Sequence, residues 1–423
     1  MFKKLLLLFK TPDLRRRLFI VLGLLAIFRI MAAIPLPNID KTQLDQFFQS
    51  YQVFGLFNIF SGGAFNNISI ALLGIGPYIT ASIIMQLLTL IFPSLKEMLY
   101  KGTTKERARF MQYSRLLTIP LAIVQGFSFL TLLSRQGVIT FSGPFDFLTN
   151  IVIITASSVF LMWLGELISE QKLGNGTSLI IFSGIVISLP RQILATILTA
   201  SAQNIVNIII FFALLLAIIV GVVYISLAER RIPVSYAKQV RGTKIYGGAS
   251  TYLPVKLNQA GVIPIIFALS ILMFPQMIAQ FLANSTNIYV IKLVNFLNLF
   301  QQNSPWYLIV YFLLVFIFTY FYTYITFEPE TIAENLQKRG GFIPGYRPGQ
   351  MTIQFINQVV SRITFFGALF LGFIAIFPVL MGGITHVTTM AIGGTSLLIM
   401  VQVAIEIMNA IESQLIMREY ETY

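Results

Sequence analysis

Hydrophobic positions in this chain fall in long blocks rather than in short alternations. Each block is near the length an α-helix needs to cross a hydrocarbon layer. They lie at about 18–36, 69–92, 115–134, 147–169, 175–196, 205–228, 258–283, 305–327, 358–381 and 389–413, separated by polar, basic or Gly/Pro-rich stretches. The pattern predicts an all-α polytopic membrane protein with ten transmembrane helices.

Two phrases inside these blocks occur once in each half. Gly74-Ile75-Gly76-Pro77-Tyr78-Ile79 is echoed by Gly261-Val262-Ile263-Pro264-Ile265-Ile266, and Gly176-Thr177-Ser178-Leu179-Ile180-Ile181 by Gly394-Thr395-Ser396-Leu397-Leu398-Ile399. The order is the same in both halves, and the phrases fall in the second and fifth blocks of each. A duplicated unit with an odd number of spans must enter the membrane upside down, so the expected architecture is two inverted five-helix halves about an axis in the membrane plane. Residues 1–196 form the first half, 197–204 an external hinge, and 205–423 the second half, with long loops at 229–257 and 328–357.

Superposing the repeats pairs Ile79 with Ile266 and Ile181 with Ile399, while Ile75 lies one turn before Ile79. Branched apolar side chains converging at mid-membrane would form a constriction that stops ions by dewetting; ordinary packing is the plainer alternative. Pro77 and Pro264 are each expected to remove a helical hydrogen bond and favour a kink. One apolar stretch, Val53–Phe60, is too short to span and runs into Ser61-Gly62-Gly63 and Asn66-Asn67. It reads either as an interfacial loop or as a re-entrant segment folded into the bundle.

Composition sharpens this picture. The 423 residues are 56% hydrophobic and 11% charged, with mean hydropathy +0.81, which excludes a soluble domain. Cysteine is absent, which excludes disulfides and thiolate metal sites. The single histidine, His386, sits in a Gly/Thr-rich loop and is read as incidental. No P-loop, His-Glu-x-x-His or nucleophile–base pair occurs, so no catalytic residue, metal site or cofactor is assigned and the chain is not read as an enzyme. Energy for any transport would come from another protein or from the membrane potential.

The net charge of +13 reads as topology. Of the 29 Lys and Arg residues, 24 fall on the side that holds both ends of the chain, and only Lys41, Arg135, Arg191 and Lys292 fall opposite. That bias puts both termini in the cytoplasm. The start, Met1-Phe2-Lys3-Lys4 with Leu5 to Phe9, has too short an apolar run for a signal peptide. It is interrupted by Arg15-Arg16-Arg17, so it reads as an interfacial segment that is kept. Arg29, Glu166 and Glu406 lie toward span ends, whereas an ion-coupled transporter generally needs an ionisable group at mid-span. A secondary transporter and a non-conducting scaffold remain open at this point.

Two cytoplasmic loops exceed what topology requires. Glu229 to Tyr246 alternates β-branched with basic residues, including Lys238, Arg241 and Lys244, and suits a protruding hairpin broken at Gly242. Glu334 to Gly349 carries Lys338 and Arg339, and its prolines and glycines would present Arg347 at a rigid tip. Together they read as a docking platform for an acidic or phosphate-rich partner, such as a motor protein or ribosomal RNA.

At these residues the chain resembles the SecY family, the channel subunits of the bacterial Sec protein translocon, over essentially its whole length. The matching phrases include Phe28-Arg29-Ile30, Ile34-Pro35-Leu36-Pro37, Phe60-Ser61-Gly62-Gly63-Ala64, Gly74 to Ile84 with Gln86, and Gly174-Asn175-Gly176. Tyr236-Ala237-Lys238, Leu253-Pro254-Val255-Lys256, Ala260 to Pro264, Glu334-Asn335-Leu336, Pro344 to Gly349 and Gly393 to Ile399 continue the match. The resemblance implies a protein-conducting channel that passes unfolded preproteins across the bacterial cell membrane and releases signal sequences and other apolar segments sideways into lipid. It implies a waist ring of Ile75, Ile79, Thr177, Ile181, Ile266 and Ile399. It also implies a re-entrant plug at about Phe57 to Asn67, including Phe57, Asn58, Phe60, Ser61, Gly62, Gly63 and Ala64.

A lateral gate would lie between the second and third spans and the seventh and eighth. The basic loops would dock the SecA ATPase and the ribosome, and SecE-like and SecG-like subunits would attend. Thr177 stands where the family commonly has an aliphatic residue, so its hydroxyl should weaken the seal slightly or be covered by the plug. Thr243-Lys244 replaces a frequent pair of basic residues, and Asn38 a usual glycine.

Overall fold

The computed structural model describes residues 11–37, 61, 64, 68–100, 102–135, 137–198, 205–236, 239–241, 244–246, 250–282, 287–300, 304–385 and 388–421. Statements about what is present or absent refer to these residues. His386 and the tip at 242–243 lie outside them, as do most of 38–67 and residues 199–204 of the hinge 197–204.

A helix stands in every predicted block. In chain order the helices are α1 (Pro12–Ala33), α2 (Gly76–Ile91), α3 (Pro93–Tyr100), α4 (Thr104–Arg135), α5 (Pro144–Glu170), α6 (Gly176–Leu198) and α7 (Ile205–Leu227). They continue as α8 (Ile263–Leu282), α9 (Ile288–Leu297), α10 (Pro305–Thr326), α11 (Pro329–Lys338), α12 (Gln350–Thr385) and α13 (Thr388–Glu421). Six helical segments are long and apolar enough to cross a membrane, or seven if the pair α2–α3, bent by 117°, counts as one span. The apolar stretches of α6 and α8 are shorter, Gly176–Pro190 and Ile263–Leu272, and α1 carries Arg15, Arg16, Arg17 and Arg29.

Local chemistry sets the helix ends. Pro93 disfavours helical backbone at Phe92 and separates α2 from α3. Asn287 and Ser304 cap α9 and α10, their side-chain oxygens accepting from the amides of Tyr289 at 3.0 Å and Trp306 at 3.3 Å. Before α4, Glu106 accepts from both the amide and the hydroxyl of Thr103, at 2.6 and 3.0 Å, a capping arrangement.

Two expectations need correction here. The second and seventh blocks are not helical from their start: residues 68–75 and 258–262 are turns and bends, and the helices begin at Gly76 and Ile263. The cause is a glycine with left-handed backbone two residues earlier, Gly74 at φ 56° and Gly261 at φ 63°. Pro77 and Pro264 consequently sit at the second position of α2 and α8. The first amides of a helix have no intrahelical acceptor, so these prolines start the helices and cost no hydrogen bond there.

The all-α expectation is also incomplete. Beyond α7 the chain forms β1 (Glu229–Tyr236), β2 (Gln239–Arg241), β3 (Lys244–Tyr246) and β4 (Ser250–Lys256), and β5 (Gly341–Phe342) follows α11. β1 pairs antiparallel with β4, Ile232 opposite Leu253, and with β5, Ser235 opposite Phe342, giving the order β4-β1-β5. β2 and β3 form a separate hairpin. The expected protrusion is therefore a ribbon seated on a small sheet, whose third strand comes from the other long loop. Alternate residues of β1, Ile232 and Val234, are buried against Val255, Ile343, Ile356 and Val360.

Within the bundle, α4 packs on α2 and α5, α5 on α6, and α10 on both α8 and α12. α12 and α7 both pack on α13. α13 also runs along α6, and α8 touches α2 and α4. The helices carrying each repeated phrase therefore meet: α2 with α8, and α6 with α13. Burial in lipid gives no hydrophobic drive between helices, so close approach and polar bonds matter more. One such bond joins α7 to α13, where the Ser226 hydroxyl donates to Gln402 Oε1 at 2.6 Å, out of solvent.

Candidate functional site

The first pair of repeat phrases, at Gly74 and Gly261, builds the same local structure twice. In each, the left-handed glycine is followed by one residue whose carbonyl opens the helix: Ile75 O accepts from Ile79 N at 3.1 Å, and Val262 O from Ile266 N at 3.2 Å. Ile79 and Ile266 thereby hold matching places in the first turns of α2 and α8. Ile181 and Ile399 lie further along α6 and α13. Ile75, Ile79, Ile181, Ile266 and Ile399 are all buried and belong to one apolar cluster.

Thr177, the sixth ring candidate, is partly exposed and borders this cluster through Gly165 of α5. A Cβ placed on Gly165 would lie 3.4 Å from Ile75 Cδ1, 3.6 Å from Thr177 Cγ2 and 3.6 Å from Ile180 Cδ1. The Thr177 hydroxyl donates to Asn175 Oδ1 at 2.6 Å, and the Thr177 amide donates to the same oxygen at 3.0 Å. The hydroxyl is thus bonded within the α5–α6 turn, and the methyl lies on the Gly165 side. The adjacent Gly176 packs directly on the Gly165 carbonyl, where a Cβ would collide, and its amide donates to Ser169 Oγ at 2.9 Å. Sequence reasoning did not single out Gly165 as a functional position, since one glycine inside an apolar helix carries no local signal. Asn175 was visible as a polar residue immediately before a helix start.

Of the plug candidates, Ser61 and Ala64 are described and both are buried. Ala64 belongs to the same cluster as the isoleucines; its amide donates to Ser61 O at 3.3 Å, and its carbonyl accepts from Ser69 N at 3.1 Å. Phe57, Asn58, Phe60, Gly62 and Gly63 lie outside the described residues.

At the sheet-bearing end, Lys338 and Arg339 are exposed at the end of α11, Lys338 3.5 Å from Glu334. Arg347 is exposed in the turn after β5, among the left-handed Gly345 and Gly349. Its carbonyl accepts from Thr352 Oγ1 at 2.9 Å, and the preceding Tyr346 stacks on Phe355, ring centroids 4.1 Å apart. The tip is therefore held from both sides of Arg347. On the sheet, Arg231 of β1 donates to Glu229 at 2.8 Å, which holds its guanidinium above its ordinary pKa, and lies 4.8 Å from the Tyr252 ring of β4. Arg241 and Lys244 are register partners in the β2–β3 pair, while Lys238 lies outside the described residues.

Among the span-end charges, Arg115 of α4 donates to Glu166 of α5 at 2.7 Å. Arg29 is half-buried, its guanidinium 5.0 Å from the Phe28 ring. Glu406 of α13 brings its carboxylate against Gly261.

A helical bundle with lipid-compatible outer faces, a buried cluster of repeat-paired isoleucines and a basic platform at one end defines a multi-pass membrane protein. The SecY family model matches residues 69–408. The protein translocase subunit SecY of Thermus thermophilus is 42% identical over 98% of this chain and 95% of its own length. The chain belongs to the SecY family. Its fold is that of a solved protein-conducting channel, with TM-score 0.65 and 19% identity over 94% of this chain and 91% of the other. Sec61 in the canine ribosome–channel complex from the endoplasmic reticulum gives TM-score 0.62 and 19% identity, again over 94% and 91%.

Proposed function

We propose that this chain is the protein-conducting channel of a Sec translocase: unfolded preproteins cross the membrane through it, and apolar segments leave it sideways into lipid. It is a channel subunit and not an enzyme. The observation that carries this reading is the convergence of Ile75, Ile79, Ile181, Ile266 and Ile399 in one buried apolar cluster where α2 meets α8 and α6 meets α13. With Thr177 they make a dewetting ring at the waist of ten spans arranged as two inverted halves, 1–196 and 205–423, joined by the hinge 197–204. Residues from about Phe57 to Asn67 form a re-entrant plug; the burial of Ser61 and of Ala64 within the same cluster supports this.

The contact of α8 with α2 and α4 is the closed lateral gate. Both termini and the sheet-bearing platform face the cytoplasm of a bacterial cell. There Lys238, Arg241, Lys244, Lys338, Arg339 and Arg347 dock SecA or the ribosome, and SecE-like and SecG-like subunits complete the complex. The channel lends the path, and SecA or translation supplies the work.

The test is transport of a signal-bearing precursor into proteoliposomes holding this chain with a SecE partner, driven by SecA and ATP. Protease-protected precursor is expected with wild type. Ile266→Asn should relax the requirement for an intact signal, and Arg347→Glu should abolish SecA-driven transport. Absence of protected precursor with an active SecA and confirmed insertion would overturn the reading.

A further inference from the structure

Glu406 lies about two helical turns beyond Ile399 and therefore on the same face of α13. Its carboxylate accepts a hydrogen bond from the backbone amide of Val262, the residue immediately before α8. The fit at this point is tight. Gly261 has left-handed backbone at φ 63°, and a Cβ there would collide with Glu406 Oε1, so only glycine lets the carboxylate in. Asn258, itself buried, holds Gly261 from the other side: its Oδ1 accepts from Gly261 N at 3.0 Å and its Nδ2 donates to Gly261 O at 3.4 Å. Lys256 of β4 and Tyr322 of α10 lie within electrostatic range of the carboxylate.

The connection runs straight to the waist. Glu406 holds the Val262 amide, and the Val262 carbonyl holds the amide of Ile266 at 3.2 Å. Nothing equivalent exists at the matching place of the first half. The pairing of Ile181 with Ile399 puts Ser188 where Glu406 stands, and the Ser188 hydroxyl donates to Ile185 O of its own helix at 3.0 Å. Of the two repeat-related helix starts, the one fastened to a neighbouring helix by a carboxylate is that of α8, which also borders α2 and α4. Movement of α8 away from those helices while α13 stays in place stretches the Glu406–Val262 bond. The carboxylate thus favours the state in which Ile266 is seated, and a contact that differs between two states shifts their populations.

We infer that Glu406 is a positioning residue for Ile266: it latches the start of α8 to α13 and so sets how strictly the channel demands a signal sequence. The inference rests on the waist-ring reading above. It is tested in the same SecE-containing proteoliposomes by the ratio of signal-defective to intact precursor transported, a ratio that a simple loss of folded channel leaves unchanged.

Glu406→Ala should raise the ratio about tenfold, the shift expected from losing one hydrogen bond to a charged group. Glu406→Gln keeps an acceptor oxygen and should recover most of the strictness. Gly261→Ala, which ejects the carboxylate from the other side, should behave like Glu406→Ala. The double variant Ile266→Asn, Glu406→Ala should be no laxer than Ile266→Asn alone, because both act through one side chain. If Ile266→Asn raises the ratio and Glu406→Ala does not, the latch is wrong and the ring stands. If the two effects multiply, Glu406 acts elsewhere and the assignment fails. If neither variant changes the ratio, the ring reading itself falls.

Discussion

Thr177 shows how much one rotamer decides. From sequence, a hydroxyl in an apolar ring looks like a flaw in the seal. In the structure that hydroxyl is committed to Asn175 Oδ1, and the methyl lies beside Gly165 and near Ile75. Replacing it with an isosteric valine removes one donor to an oxygen that the Thr177 amide still occupies, at a cost of about 0.5–1.5 kcal/mol. Thr177→Val should therefore leave the resting ion conductance of reconstituted channels near wild type; a several-fold fall would show that the hydroxyl does reach the waist. Gly165→Leu should act the other way. With Ile75, Ile180 and Thr177 already 3.4–3.6 Å from a Cβ at that place, a larger side chain must displace them, overpacking by about 1–3 kcal/mol. Conductance should rise, and unchanged conductance would remove Gly165 from the account of the seal. Ile79, Ile181, Ile266 and Ile399 stood out in the sequence because they recur at matching places, whereas Ile75 pairs with Val262. Gly165 did not stand out, because what defines it is the approach of α6, a non-local fact.

At the scale of elements, the platform is one structure built from two distant loops. The alternation of β-branched and basic residues announced a hairpin, and the clustered prolines and glycines announced a braced turn. Their union through β5 on the edge of β1 was not legible, since a strand as short as Gly341–Phe342 has no periodicity of its own. That union anchors on the sheet the start of the turn that carries Arg347. Tyr346 carries no formal charge, yet its stacking on Phe355 braces the turn beside Arg347 and should matter if rigidity is what a motor reads. An aromatic pair of this kind contributes about 0.5–1.5 kcal/mol beyond its buried area. Tyr346→Ala is expected to raise the SecA concentration needed for half-maximal transport by about three- to tenfold, with maximal transport retained. An unchanged SecA requirement would reduce the platform to a set of charges on a flexible tip.

The whole molecule places like against like. α2 meets α8 and α6 meets α13, as the recurring phrases required, and the two glycine-opened helix starts repeat down to the hydrogen bond that seats Ile79 and Ile266. The halves are nevertheless unequal. α6 begins at Gly176, whereas its counterpart α13 runs as unbroken helix through Gly394, so one copy of the phrase is a helix start and the other a helix interior. Pattern reading does not detect this, because the six residues are nearly the same in both; the difference lies in what precedes them, the turn at Lys172 and Gly174 with positive φ against a continuous helix.

Inequality of this kind leaves room for a part that only one half supplies, and the first half supplies the proposed plug. Ala64 is fully buried within the cluster that also holds the five isoleucines proposed for the ring. Deleting the proposed plug, 57–67, therefore removes the packing that Ala64 gives this cluster. Deletion also strips the Ser69 amide of the Ala64 carbonyl that it bonds at 3.1 Å; a backbone group freed in this way bonds water, and a wetted path admits ions. The deleted channel should conduct at rest while still transporting signal-bearing precursor. Conductance equal to wild type would mean that the isoleucine ring alone holds the barrier and that Ala64 is buried only as packing.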